Sequence, residues 1–332
     1  MKRLIYLFII LFHSWLYCYA ESGQRISVLD FGAIPDDGLD DSENIRKACE
    51  YCRDNKSTVL FFPPGLYNFR DSLALQIERE AISGVYGENV QGRLFKPDAP
   101  YVKALDLFGA ENLVVEAEGA ILLLEGWYEV VSIDKAREVT IKGLSIVYRR
   151  PPNTVGKITK LNEGSFDMQI DPERYFYLDK DVTGRVHYVD AMRERLYTGG
   201  RVSGKELLSK DMIRIYTDFR PSTGDFCVLR HSGHYRPAIM IKESSDIYIE
   251  GVKIHSQPGM GVVGHLSENI TLENLQVIPE AGMIISTNTD ATHFTSCKGE
   301  IVIENCKFEG RETIAQIFII IIIQLFPKQK DL

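Results

Sequence analysis

Positive charge is in short supply. Lysine and arginine number 38 against 46 aspartates and glutamates, a net charge of -8 over 332 residues. Nucleic acid wants a basic face, so it is excluded as a partner, and neutral or weakly charged ligands suit the chain better. A membrane span is missing too. The apolar runs at residues 4–16 and 317–326 both fall short of the ~20 residues that a spanning helix needs. Cysteine is scarce, six in all, which in a chain this long argues against a disulfide framework. Cys49, Cys52, Cys227, Cys297 and Cys306 lie beyond the first 20 residues, an odd number. Cys49 and Cys52 form a C-x-x-C, but no second pair stands at ligand spacing to make a zinc site. With Ile45 and Ala48 they share one face of an expected helix, so they are read as buried packing. Nothing in the sequence specifies an oligomeric state.

What is present begins with a leader. Lys2 and Arg3 precede the first apolar run and Ala20 closes a small-residue cleavage site, so residues 1–20 read as a signal peptide. Cys18 lacks the small residues before it that lipid attachment wants, which favours plain cleavage. Export follows, to the periplasm or the outside. Residues 26–33 read as a strand. A turn-rich acidic loop comes next, then a helix over 43–53 that Asp41 or Ser42 can cap. A strand over 58–62 ends at Pro63-Pro64-Gly65. One amphipathic helix before a row of strands suits a β-solenoid, whose first coil has an open edge that a cap must cover. The runs D-F-G-A at 30–33, D-G-L-D-D at 37–41 and F-P-P-G-L-Y at 62–67 resemble the opening of the pectate-lyase-like superfamily of right-handed parallel β-helices. That resemblance implies a fold and says little about a reaction.

Repeats follow. Residues 112–119, 138–146, 246–254, 269–277 and 300–308 align, four of them as two short strands broken by Gly143, Gly251, Asn274 or Asn305. Alternation places Ile247, Ile249, Val252 and Ile254 inside, stacked on counterparts in the next coil. Positions 246 and 269 stand 23 apart and positions 269 and 300 stand 31 apart. The longer step puts extra loop into the coil that carries Asp290, and loops on one face of a solenoid commonly build its binding site. Residues 151–236 show no coil repeat. Their charge, tyrosines and alternating stretches at 185–189 and 212–217 read as a small antiparallel β-domain rather than one long loop. The expected architecture is therefore all-β: a right-handed parallel β-helix with an N-terminal capping helix and an inserted, barrel-like antiparallel domain. Its parts are the leader at 1–20, coils at 21–150, the insert at 151–236, coils with an active-site edge at 237–310, and an aberrant tail at 311–332.

The chemistry gathers at residues 286–310, where Asn288, Asp290 and His293 fall within six positions. Glycosidases pair two carboxylates, and inverting ones hold them about 6.5–9.5 Å apart to admit a water. Adjacent coils stack roughly 4.8 Å apart, so a carboxylate on each of two successive coils approaches that separation. Asp290 is the catalytic candidate, against the plain alternative of an Asp that merely forms a turn in N-T-D. A partner one coil later should lie near position 313, but Arg311, Glu312 and Thr313 stand there and Glu309 is ambiguous.

Residues 236–265 and 286–310, above all D-A-T-H-F-T-S-C-K-G at 290–299, closely resemble the bacterial exo-α-1,3-galactosidases of glycoside hydrolase family 110. The resemblance covers nearly the whole chain between the leader and Gly310. It implies removal of terminal α-1,3-linked galactose, including that of blood group B structures, from an oligosaccharide or glycan, with inversion and with no metal or other cofactor. It implies that Asp290 belongs to the acidic cluster. Asn288, His293, His255 and His265 are substrate-contact candidates, weighed against the fact that a lone histidine is more often structural. Two rival readings remain: a polygalacturonase-like hydrolase, whose first acidic motif N-T-D also resembles, and a sugar-binding β-helix without catalysis. Preference for linear or branched galactosides is open.

An Asp-Asp pair follows F-E-G in that family and is absent here. Reading the codons of residues 311–318 from their third base permits Gly-Asp-Asp-Ser-Thr-Asn-Ile-His, so a frameshift just after Gly310 is expected, with a poor catalyst that aggregates readily as its product. Sequencing the gene across codons 309–318 checks this. A single missing or extra base that restores the pair is the expected result, and a confirmed frame would remove the explanation.

Overall fold

The alternating segments form strands, as their period of two dictates. The computed structural model describes residues 23–310, apart from 88, 97, 181, 193, 194 and 233, together with the backbone of the strand Ile319–Leu325. The expected leader at 1–20 and the tail segments 311–318 and 326–332 lie outside the described residues. Three parallel sheets make the faces of a stack. The first face runs Gln24–Ser27, Thr58–Phe61, Glu111–Glu116, Arg137–Lys142, Ser245–Glu250, Glu268–Glu273 and Lys298–Phe308. The second runs Gly65–Phe69, Ala120–Leu124, Ser145–Tyr148, Lys253–Ile254 and Gln276–Val277, ending on the C-terminal part of Lys298–Phe308. The third has five strands: Val102–Asp106, Tyr128–Asp134, Ile239–Lys242, Val262–His265 and Thr292–Thr295.

Register stacks like on like. Leu113, Val139, Ile247, Ile270 and Ile301 form one interior column, and Val115, Ile141, Ile249, Leu272 and Ile303 form the next. All ten are buried, and each such side chain contributes about 1.5–3 kcal/mol by leaving water. The corners turn in the left-handed region, at Gly143, Gly251, Asn274 and Asn305 as the repeats suggested. A second left-handed corner, at Asn112, Glu138, Asp246, Asn269 and Gly299, opens the same strands. Asn and Asp tolerate this conformation better than other side-chain-bearing residues. Asn269 also uses the corner to bind its neighbours, donating to Asp246 Oδ1 at 2.8 Å and accepting from Glu300 N at 3.3 Å.

Several N-terminal expectations are corrected. The first strand is only Gln24–Ser27, because Ser27 and Asp30 form a reciprocal cap that turns Val28–Phe31 into a 3-10 helix. The expected helix spans Ser42–Asp54, but neither Asp41 nor Ser42 caps it through a side chain. Asp41 instead accepts from Ile34 N at 3.0 Å and Asn68 N at 2.9 Å, tying the acidic loop to the second face. Cys49 and Cys52 are buried with Ile45 and Ala48 on the helix face that packs into the core. A second helix, Ser72–Ile82, was not foreseen, and it is capped by Asp71.

Between Ser145–Tyr148 and Ile239–Lys242 the chain leaves the stack and builds a seven-stranded antiparallel sheet. Its order is Leu196–Tyr197, Arg185–Val189, Phe226–Arg230, Asn153–Asn162, Ser165–Gln169, Met212–Thr217 and Val202–Ser209. At the far end, Ile319–Leu325 pairs antiparallel with Lys298–Phe308. Among the described residues no helix is long and apolar enough to cross a membrane.

The role of Asp41 is testable. Asp41→Asn sets an amide N–H against one of two backbone N–H donors, so the stack should lose about 1–3 kcal/mol. Urea unfolding with an unchanged slope measures that loss, and an unaltered midpoint would contradict the assignment.

Candidate functional site

The loop from the second face to the third carries the predicted chemistry. Residues 286–290 run beside 257–261 on the coil beneath. Gln257 N donates to Ser286 O at 2.9 Å, Asn288 N to Gln257 O at 3.1 Å, and Gly261 N to Asp290 O at 2.9 Å. The approach is close enough to demand glycine: a Cβ on Gly261 would meet Ala291 O at 2.3 Å, and one on Gly259 would meet Tyr235 O at 2.4 Å. Gln257 is fully buried. Its amide donates to Tyr128 O at 3.1 Å and Arg236 O at 2.7 Å and accepts from the Tyr148 hydroxyl at 3.0 Å. Ser286 closes the loop from above, its hydroxyl donating to Glu309 O at 2.6 Å and Gly310 O at 3.0 Å.

At the end of this braced segment Asp290 reaches the outside. Its Oδ2 lies 3.6 Å from His293 Nδ1, with both side chains nearly half exposed. His293 sits on the third face, opposite Val263, and His265 on the adjoining strand is opposite Thr295. Val262 and Gly264 are buried while Val263 and His265 are not, so His265 shares the outer surface with His293. The structure thus joins Asp290 and His293 directly and places His265 one strand away. His255 is apart from them, at the end of its second-face strand, with Nδ1 3.2 Å from Ile278 O.

Asn288 is fully buried rather than turned toward a ligand. Its side chain donates to Pro152 O at 3.3 Å and accepts from Asn153 at 3.4 Å, while its carbonyl accepts from Arg230. It clasps the insert to the stack, which corrects its expected role in substrate contact. Glu309, ambiguous from the sequence, is ion-paired with Lys307 at 3.0 Å. The coil beneath offers Met260 at the position that matches Asp290, one residue before Gly261 as Asp290 precedes Ala291. A half-exposed carboxylate beside an imidazole can exchange a proton with a bound hydroxyl or hold it by hydrogen bonds. Among the described residues no cluster of three His, Cys, Asp or Glu side chains is placed to hold a metal ion.

Further charged groups escaped the sequence reading. Buried Glu129 faces the third-face groove with Arg236, Asp134, Lys242 and His265. Burial pushes its carboxyl up, against the pull of Ser132, Arg236 and Lys103. Behind Asn288, the buried Arg150 donates to Asn153 O at 2.8 Å and Thr154 Oγ1 at 3.0 Å. Burial pushes Glu78 up to about 8, opposed by Arg150. Neither residue repeats along the chain, so no pattern marks them.

No protein-family profile matches the chain. It is similar to the α-1,3-galactosidase B of Bacteroides thetaiotaomicron, 25% identical over 315 residues, which cover 87% of this chain and 49% of that protein. It is similar to the α-1,3-galactosidase A of Shewanella woodyi, 24% identical over 317 residues and covering 87% and 50%. The chain spans about half the length of the curated relatives it matches. Among solved structures, a candidate glycosyl hydrolase of Parabacteroides merdae aligns with a TM-score of 0.42 and 13% identity, over 86% of this chain and 85% of the other.

The raised Glu78 carboxyl predicts a pH dependence. A folded pKa above the unfolded one favours the protonated form, so this stabilisation is complete below the ordinary carboxylate value and is lost as pH rises through about 8. Thermal melts across that window should show stability falling, and Glu78→Gln should flatten the fall. An equal slope in both proteins would contradict the assignment.

Proposed function

We propose that this chain is the acid-bearing part of an inverting exo-α-1,3-galactosidase. It would be built on a right-handed β-helix with an inserted barrel-like domain and would act outside the cytoplasmic membrane. The substrate is a galactose-terminated oligosaccharide or glycan. One observation carries the reading: Asp290, held by the Gln257 braces, presents its carboxylate 3.6 Å from His293 at the outer edge of the third face. The relatives supply the substrate class, since those compared above are named for α-1,3-galactosides.

Inversion asks for a second carboxylate about 6.5–9.5 Å from the first. The coil beneath Asp290 offers an apolar Met260 instead. Glu129 lies three strands away along the third face, roughly 14 Å at ~4.8 Å per strand, which is too far. The coil above would begin after Gly310, where the sequence carries Arg311-Glu312-Thr313. In this reading the chain recognises the galactoside better than it cleaves it. Asp290 protonates the leaving oxygen or activates water, with His293 Nδ1 3.6 Å from its carboxylate.

Release of galactose from an α-1,3-linked digalactoside tests the proposal. The chain should turn over on the order of 10²–10⁴-fold more slowly than an enzyme with both acids, the usual cost of losing one. Asp290→Asn should abolish what activity remains while binding of the digalactoside persists. Turnover in the ordinary range of ~1–10³ per second would sink the claim of impairment, and unchanged activity in Asp290→Asn would remove Asp290 from catalysis.

A further inference from the structure

The loop that leads to Asp290 is longer than its neighbour, and the extra chain has a definite place. Thr287 forms a parallel bridge with Gln257 on the coil beneath. On that coil two residues, 255 and 256, separate the second-face strand from Gln257. On the Asp290 coil nine residues, 278–286, separate it from Thr287. Beyond the bridge the coils match again, with Val262 opposite Thr292. The additional residues therefore enter before Thr287, and they pack on the insert. Met283 rests on the apolar core of the insert and accepts from Arg174 Nη1 at 2.8 Å. Buried Ile285 clusters with Val189 and Val228, which belong to two paired strands of the insert. The cavity left between Ile285, Thr287, Leu196, Val228 and Arg230 measures about 10 Å³, no larger than one water.

Asn288 completes the contact. Asn153 and Arg230 stand opposite each other on adjacent strands of the insert. Asn153 Nδ2 donates to Asn288 Oδ1 at 3.4 Å, and Arg230 donates to Asn288 O. One rung of the inserted sheet thus holds both the side chain and the carbonyl of a residue two positions before Asp290. We propose that the insert is the positioning platform for Asp290, with Asn153, Arg230, Ile285 and Asn288 as positioning residues that act through its carboxylate. The inference rests on the reading of Asp290 as the acid of a glycan site.

Gln257 holds Ser286 and Asn288 from the coil beneath through their backbones. A loop that gains seven residues over its neighbour also gains conformational freedom, which those two backbone bonds leave unopposed. Seating Met283 and Ile285 on the insert removes that freedom. Close-packed contacts pass a displacement on rather than absorb it. Two extended residues span about 7 Å, so a shift of the rung reaches Asp290 within one short segment. His293 stands on the third face, paired with the strand of Val263 and outside this contact. Movement of the insert therefore changes the 3.6 Å separation between Asp290 and His293.

NMR of the full chain tests this through the imidazole Hε1 signal of His293, assigned with His293→Gln. Asp290→Asn removes the neighbouring carboxylate and should shift that signal. Asn153→Ala and Ile285→Val should each move it toward the position it takes in Asp290→Asn. Combined with Asp290→Asn they should add nothing, as coupled sites do. Asp41→Asn, which loosens the stack at its first coil, should leave the signal in place. An unmoved signal in both insert-facing variants, an equal shift in Asp41→Asn, or no shift in Asp290→Asn would each overturn the inference. Saturation transfer from an α-1,3-linked digalactoside separates it from the wider reading. If the signal moves as expected and the unaltered chain binds no digalactoside, the platform stands and the galactoside reading falls. If the unaltered chain binds it while the insert-facing variants leave the signal unmoved, the reverse holds.

Discussion

The buried side-chain amide of Gln257 is the contact on which the site depends. It touches the backbone of Tyr128 on one coil, Arg236 where the insert rejoins the stack, and the hydroxyl of Tyr148. Its own backbone pairs with Ser286 and Asn288 above. Leaving a buried polar group unmatched costs about 1–3 kcal/mol, so four segments are held to one geometry by groups that cannot find partners elsewhere. Asp290 is the exposed end of the strip that results. Apolar columns set the height of each coil, and this polar bolt sets where the loop emerges.

The division of labour follows from the fold. Interior positions repeat because each coil must present the same shape to the next, which leaves little room for chemistry there. The candidate site, Asp290 with His293, lies on the outer surface of the third face and in the loop that feeds it. The seam with the insert is polar for the same reason: Arg150, Asn153, Thr154, Asn288 and His231 are all buried, and their mutual bonds replace water. A seam of that kind is specific but sensitive to protonation, and Glu78 with Arg150 brings a titrating pair to it.

The stack was the most legible part of the sequence. Period-two alternation and Gly or Asn corners are local signals, and Ile247, Ile249, Val252 and Ile254 are buried as the pattern required. The insert was visible as a break in that pattern. The helix Ser72–Ile82 was not, although Asp71 is an ordinary cap, because no strand repeat frames it. The first strand stops short of the extended-looking run 26–33 because the reciprocal cap of Ser27 and Asp30 overrides it. In the candidate site, residue type and spacing suggested that Asp290 and His293 lie together, and their side chains stand 3.6 Å apart. Asn288 could not be told from a ligand contact, since its burial depends on Pro152, Asn153 and Arg230, far away in sequence. Arg236 and Glu129 face one groove through strand register that no short motif records.

The most direct test of the account is a crystal structure of the Asp290→Asn chain with an α-1,3-linked digalactoside. The terminal galactose should rest against residue 290 and His293, with the second sugar running along the third face toward His265. A sugar bound on the inserted sheet, or on the second face beside His255, would contradict the placement of the site.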